Sequence, residues 1–174
     1  MTRSTIGLLA ATLTALAATP LAAQPQKTSA ALARALAAAD KLEIIELAAH
    51  FDNGLDSEDE AKFVGTFVPD GVLAGFWGEA KGPQQIGGAF HFMLSTFAKN
   101  RHHVVTNQEI TLNGDRATMY SYLTVFDRAT NSSIGTATFT DEVVRTPKGW
   151  RFARRTLKAD ANVQPLIDAL PKGQ

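Results

Sequence analysis

Cysteine is absent from all 174 residues, which excludes disulfides, thiolate metal centres and cysteine nucleophiles. A surplus of charge is lacking too. Lysine and arginine together number 17, as do aspartate and glutamate, so no basic excess marks a nucleic-acid binder. The densest basic cluster, Arg151, Arg154, Arg155 and Lys158, is interleaved with Phe152 and Leu157, as in a strand with one solvated face. No glycine-rich phosphate loop follows a strand pattern, and there is no Gly-x-Ser-x-Gly elbow. Histidine is scarce: only four occur, they are scattered, and one of them reads as inward-facing. No metal site and no cofactor is expected from such a set.

Long apolar runs are confined to the start of the chain. Met1-Thr2-Arg3 is a short basic opening, Ile6 to Ala18 is apolar, and Pro20-Leu21-Ala22-Ala23 precedes Gln24. That is the layout of a secretory signal over residues 1–23, cleaved after Ala23. The run is too short for a spanning helix, which needs about 20 apolar residues. Export to the periplasm, or full secretion, is the expectation. Residues 24–39 read as a tether and an alanine-rich helical segment, and 40–174 as one domain.

Within that domain Asp40 looks like a helix N-cap, with Glu43 completing a capping box. Ile44, Leu47, Ala48, Phe51 and Leu55 then recur at helical spacing and form one stripe. His50 lies off it. Ser57 and Glu60 suggest a second capping box for a short helix through Phe67, and Pro69-Asp70-Gly71 a turn. Val72 to Trp77 reads as a strand, and Gly82-Pro83 starts a third helix buried through Ile86, Phe90, Met93, Leu94 and Phe97. The period then changes to two. Strands are expected over His103–Leu112, Arg116–Asp127, Ile134–Arg145 and Trp150–Lys158, joined by Asn113-Gly114 and Pro147-Lys148-Gly149 hairpins, with a last short helix near Val163–Leu170. Helices followed by an antiparallel meander make an α+β order.

Strand alternation carries the chemistry. His102 and His103 cannot face the same way, and His103 shares its face with Val105 and Asn107. Val105, Leu123, Val125 and Phe139 would surround His103 with an apolar wall, where a histidine needs a partner to fix its tautomer. Asp141 falls in phase with Ala137 and Phe139. A buried carboxylate must meet a cation or a donor, and either Arg154 or Arg155 on the next strand is the structural alternative to a catalytic role.

Several short motifs occur in order: Leu55-Asp56, Phe67-Val68-Pro69-Asp70-Gly71-Val72, His103-x-x-x-Asn107, Gly114-Asp115-x-Ala117, Ser121-Tyr122, Asp141-Glu142-x-x-Arg145 and Gly149-Trp150-Arg151-Phe152. Together they resemble the SnoaL-like branch of the cone-shaped α+β barrel superfamily, which includes nuclear transport factor 2, scytalone dehydratase and ketosteroid isomerase. The resemblance spans roughly Asp40 to Lys158. It implies a curved, mostly antiparallel sheet wrapped around three helices, with an internal apolar cavity. It does not bring a function with it. By analogy with scytalone dehydratase, Asp56 follows the first helix as a partner for His103, a carboxamide position falls at Asp141, and a second pocket histidine falls at or near Asp127. Two tyrosines of that enzyme fall at Leu55 and about Gly75, which carry no hydroxyl, so scytalone is not the expected substrate.

The expected catalytic residues are therefore His103, Asp56 and Asp141. Asn107 and Ser121 are expected to bind substrate oxygens, with Asp127 beside them, and Phe51, Phe76, Trp77 and Phe139 to contact an apolar ring. Asn107 could equally hold a strand end. The expected activity is an exported, cofactor-independent lyase (a dehydratase) or isomerase working on a small apolar, cyclic or aromatic molecule by proton transfer. The alternative is a non-catalytic binder of such a molecule. Tyr120, Tyr122 and Phe126 fall on the opposite sheet face, where an aromatic patch suggests a homodimer interface.

Overall fold

Helix α1 (Pro25–Asp56) runs unbroken for 32 residues in the computed structural model, which describes residues 25–170. The expected signal segment, 1–23, lies outside the described residues. Asp40 does not cap a helix, because the chain is already helical on both sides of it. It accepts a hydrogen bond from Trp150 Nε1 at 3.3 Å and pairs with Arg145 at 2.7 Å, while Glu43 accepts from the Trp150 backbone N–H at 3.2 Å. The apparent capping box is thus a tertiary clasp on the hairpin that carries Arg145 and Trp150. From Ile44 onward α1 buries Ile44, Leu47, Ala48, Phe51, Asp52 and Leu55, the i, i+3, i+4, i+7 pattern of one helix face.

The chain leaves α1 through a tight junction. Ser57 donates its hydroxyl proton back to the Asn53 carbonyl at 2.6 Å, and the cap of α2 (Glu60–Val64) is Asp59, which accepts from the Lys62 N–H. Phe67 opens strand β1 (Phe67–Gly75) rather than ending the short helix. Pro69-Asp70-Gly71 is a bulge within that strand, not a terminating turn, since its pairing with the last strand, Gly149–Ala159, shifts register between Phe67 and Val72. Strand β2 (Gly78–Lys81), α3 (Gly82–Met93) and a π-helical turn (Leu94–Ala98) follow. Then come β3 (Arg101–Asn113), β4 (Arg116–Asp127), β5 (Ser133–Thr146) and β6 (Gly149–Ala159). A 3₁₀ turn (Ala161–Val163) and α4 (Gln164–Asp168) end the described fold.

The sheet runs β2-β1-β6-β5-β4-β3. All neighbours are antiparallel except β1 with β6, which are parallel. It is therefore an open mixed sheet, not the cone-shaped barrel that the resemblance implied, and it is not strongly curled. Strand β2 is four residues long and pairs only with β1, so no ladder returns to β3 and both ends remain edges.

Helix α1 packs on β3 and β6, and α3 packs on β1 and β2. Phe51 is the centre of the core between them, with the rings of Phe63, Phe67, Phe139 and Phe152 at centroid distances of 4.2, 5.9, 6.2 and 6.1 Å. Such tilted and edge-on pairs favour a rigid aromatic core. The other sheet face carries Tyr120 and Tyr122, 41% and 45% exposed. No described helix is long and apolar enough to cross a membrane.

Candidate active site

Between the inner sheet face, the last turns of α1 and the chain's C-terminal segment lies a cavity of about 130 Å³. Its wall is almost wholly apolar. Leu55 comes from α1, Leu123 and Val125 from β4, Ala137 from β5 and Leu157 from β6. Phe76 and Trp77, on the turn before β2, pack with Phe97 at 5.2 and 6.3 Å to make an aromatic rim. Val163, Leu166, Ile167 and Leu170 close the remaining side.

The last turns of α1 deliver two carboxyls into this region. Asp56 accepts two hydrogen bonds from one residue: the backbone N–H of His103 at 3.0 Å and its ring Nδ1 at 2.6 Å. Burial alone would raise the Asp56 carboxyl, but the His103 bonds and the charges of His103 and Arg128 outweigh it and hold the group below the usual carboxylate range. An ionised carboxylate can only accept, so Nδ1 carries a proton, and in the neutral imidazole the lone pair then sits on Nε2. His103 lines the cavity. This is a base held in one tautomer at an apolar wall.

Asp52, one turn earlier, lines the same cavity at 4% exposure. Among the described residues neither of its oxygens has a hydrogen-bond partner. Its neighbour is Arg155, whose Nη2 lies 3.7 Å from Oδ2. The Arg155 guanidinium is fully buried among aromatic faces, 3.7 Å from the centroid of Phe139, 4.6 Å from Phe51 and 4.7 Å from Phe152. On its other side Nη1 donates to Asp141 Oδ2 at 3.3 Å. Burial pushes Asp52 up to about 6, against the pull of Arg155 and His103. Asp141 rises to about 7, again by burial against Arg155, with the Asp52 charge adding to the rise. One cation faces two carboxyls, so the cluster holds a proton near neutral pH.

The structure brings together His103, Asp56, Phe51, Phe76, Trp77 and Phe139, and separates them from the other expected residues. Asn107 is exposed, at φ 55°, where the β3–β4 register shifts between Thr106 and Glu109. One extra residue in the strand turns its side chain outward. Asp127 caps the turn after β4, accepting from the N–H groups of Ala129 and Thr130 at 2.9 and 3.0 Å and pairing with Arg101. It does not reach the cavity. Ser121 and Asp141 are fully buried beneath the wall rather than on it. Among the described residues no group of three or more His, Asp or Glu side chains is arranged to hold a metal ion.

Sequence reasoning missed Asp52 and the part that the expected C-terminal helix plays as a cover, and it left the partner of Asp141 open between Arg154 and Arg155, of which the structure gives Arg155. Asp52 had a readable signal, a carboxylate at a position in phase with Ile44, Leu47, Ala48, Phe51 and Leu55. Arg155 was hidden by parity: the β5–β6 register shifts between Glu142 and Val143, so alternation from Trp150 turns over before it is reached.

A six-stranded mixed sheet, a long helix laid across it and a His–Asp pair in the pocket between them define a nuclear transport factor 2-like protein. The chain belongs to the SnoaL-like family, whose domain matches residues 37–156. It is similar to a protein of unknown function with a cystatin-like fold from Nostoc punctiforme, at 44% identity and a TM-score of 0.70, covering 71% of this chain and 93% of that one. An NTF2-like protein from Novosphingobium aromaticivorans is 27% identical with a TM-score of 0.68, over 83% and 97% of the two chains. A protein from the same organism, provisionally assigned as a scytalone dehydratase, shares the fold at 19% identity and a TM-score of 0.61, over 70% and 85%. No curated protein shows significant similarity to this chain.

Proposed function

We propose that this protein is a cofactor-independent lyase or isomerase that moves a proton on a small apolar, cyclic or aromatic molecule. Dehydration is the first choice of reaction and double-bond isomerisation the second. The observation that carries the reading is the 2.6 Å contact between His103 Nδ1 and Asp56 Oδ1 at the wall of the cavity. His103 Nε2 takes a proton from a carbon of the bound molecule, and Asp56 stabilises the imidazolium that forms. Phe51, Phe76, Trp77 and Phe139 present ring faces and edges to a flat ligand. The scytalone dehydratase assignment of a fold neighbour supports the same chemistry. Leu55 and Gly75, standing where that enzyme's tyrosines fall, argue for a different substrate.

Binding without catalysis is the second reading, favoured by the almost wholly apolar wall. Mass spectrometry of material that co-purifies with the protein names the ligand for both. With that ligand, His103→Ala and Asp56→Asn are expected to lower turnover about 10²–10⁴-fold. Unchanged turnover overturns the acid–base reading, and no turnover by the native protein leaves the binder. Two expectations are carried forward as proposals beside it. Residues 1–23 direct export, and the outer face around Tyr120 and Tyr122 is covered by a second copy of the chain. Their rings meet edge-on at 5.6 Å. Sedimentation as a monomer at micromolar concentration would end the second of these.

A further inference from the structure

We propose that Asp52 orients the ligand by donating a hydrogen bond, and that it selects an uncharged apolar molecule carrying an oxygen acceptor, a carbonyl or a departing hydroxyl. This deepens the acid–base reading of the same cavity and rests on it.

The proposal starts from hydrogen bonds that are not made. A buried polar atom without a partner is unfavourable, and nearly all such atoms in folded proteins find one. Of the residues lining the cavity, two leave buried polar atoms unpartnered among the described residues: Asp52, through both oxygens, and Trp77, through Nε1. Every other wall position is apolar or, like His103, already bonded on one side. A ligand with nothing but carbon would leave both groups unsatisfied. A ligand with an oxygen would meet them.

The charge balance decides what kind of oxygen. Arg155 makes its one side-chain hydrogen bond to Asp141 at 3.3 Å. Asp52 stands 3.7 Å away, beyond hydrogen-bond reach. One guanidinium faces two buried carboxyls, so one of them is in surplus, and Asp52, unpartnered at the cavity wall, is the one that an acceptor oxygen on a ligand would hold in the protonated form. Such a group resolves its burial by keeping its proton, and burial does raise it. A protonated carboxyl offers one O–H donor. Its natural partner is an acceptor oxygen without charge, since a ligand carboxylate would have to be desolvated between Asp52, Asp141 and Asp56. In a dehydration the same O–H meets the hydroxyl that departs. The proton passes to that oxygen as the C–O bond breaks, water leaves, the C–H proton goes to His103 Nε2, and the electron pair becomes the C=C bond. Return of the proton from His103 to Asp52 completes the cycle without a further reactant.

The test uses three probes of similar shape on the full protein: tetralin, 1-tetralone and 1-naphthoate. Calorimetry is expected to show 1-tetralone binding about tenfold tighter than tetralin, the worth of one buried hydrogen bond, with 1-naphthoate weakest. Asp52→Leu should bring 1-tetralone down to the tetralin level while leaving tetralin unchanged. Asp52→Asn, which keeps an N–H donor, should retain part of the preference. The infrared carbonyl stretch of 1-tetralone bound to the native protein needs no variant, and a red shift from its value in hexane is expected. Equal affinities for the two neutral probes, a preference that survives Asp52→Leu, or a hexane-like stretch overturns the proposal. His103→Ala separates the two readings: it should abolish turnover and leave the 1-tetralone preference intact. Loss of the preference in that variant would make His103 the donor and overturn the role given to Asp52.

Discussion

Asp52 and Asp56 are the same residue type, one helical turn apart on one face of α1, yet the fold treats them in opposite ways. Asp56 accepts two hydrogen bonds from His103 and is held below the usual carboxylate range. Asp52 accepts none, faces a shared cation at 3.7 Å and is pushed up to about 6. Spacing along the helix brings both to the pocket, but only neighbours decide their protonation. A backbone N–H and an imidazole make a satisfied anion. Aromatic rings and an arginine already bonded elsewhere make a carboxyl that keeps its proton up to about pH 6. Two carboxyls with pKa values driven apart are the arrangement from which acid and base roles can be divided.

The largest effect that tests this contrast is the removal of Arg155. Arg155→Met keeps much of the packing volume against Phe51, Phe139 and Phe152 and deletes the cation facing both Asp52 and Asp141. Breaking a buried ionic group in this way typically costs about 3–5 kcal/mol, read as a drop in the urea unfolding free energy at neutral pH. A loss below about 1 kcal/mol would mean that neither carboxyl depends on Arg155, and the contrast with Asp56 would have another cause.

The pH dependence of stability is the second test, and the two aspartates should act in different windows. Asp52 and Asp141 hold their protons more tightly in the fold, at about 6 and about 7 against 3.8 unfolded. Their contribution is complete below pH 4 and is lost as pH rises toward 7. Asp56 has the opposite sign: its contribution is present above the unfolded value and is lost as pH falls through its lower folded value. The urea unfolding free energy should therefore decline between pH 4.5 and 7.5, by an amount on the order of 3 kcal/mol. Asp141→Asn should flatten that limb, and Asp56→Asn should change only the acid limb. A flat native profile above pH 4.5 would remove the case for a buried neutral carboxyl.

How much of this was legible in the sequence depended on whether local periodicity survived. Strand β4 was read to its ends, because Arg116–Asp127 alternates without interruption and is bounded by turn residues. The Leu55-Asp56 and His103 motifs led to two residues that the structure does bring together. Asn107 and Arg155 were misplaced or left open for one reason, an extra residue in a strand that reverses which side chains point inward. No pattern of period two can show a bulge made by the partner's register. Asp40 and Glu43 looked like a cap because a cap and a tertiary clasp use the same residue types. Strand β2 was too short to register as a strand, and the open sheet follows from that shortness, which the family resemblance hid. A short helix near Val163–Leu170 was expected, but it lies beyond the 37–156 family match, so no motif gave it a place over the cavity.

The smallest predicted effect asks whether the two aspartates share one electrostatic environment. Arg128 donates through Nη2 to the Asp56 carbonyl at 2.6 Å and through Nε to the Arg101 carbonyl at 2.8 Å, and both contacts are exposed. Its charge helps to lower Asp56 and does not figure among the influences on Asp52. Arg128→Ala should therefore raise the Asp56 carboxyl slightly, as expected for a solvent-screened cation, and leave Asp52 where it is. Carboxyl carbon-13 titration by NMR reads both groups in one experiment. Molar salt should shrink the difference between native and variant protein, because screening acts on exposed charge and hardly on the buried Arg155 cluster. If Asp52 moved as far as Asp56, their opposite protonation could not be assigned to separate neighbours, and the division of acid and base between them would fail with it.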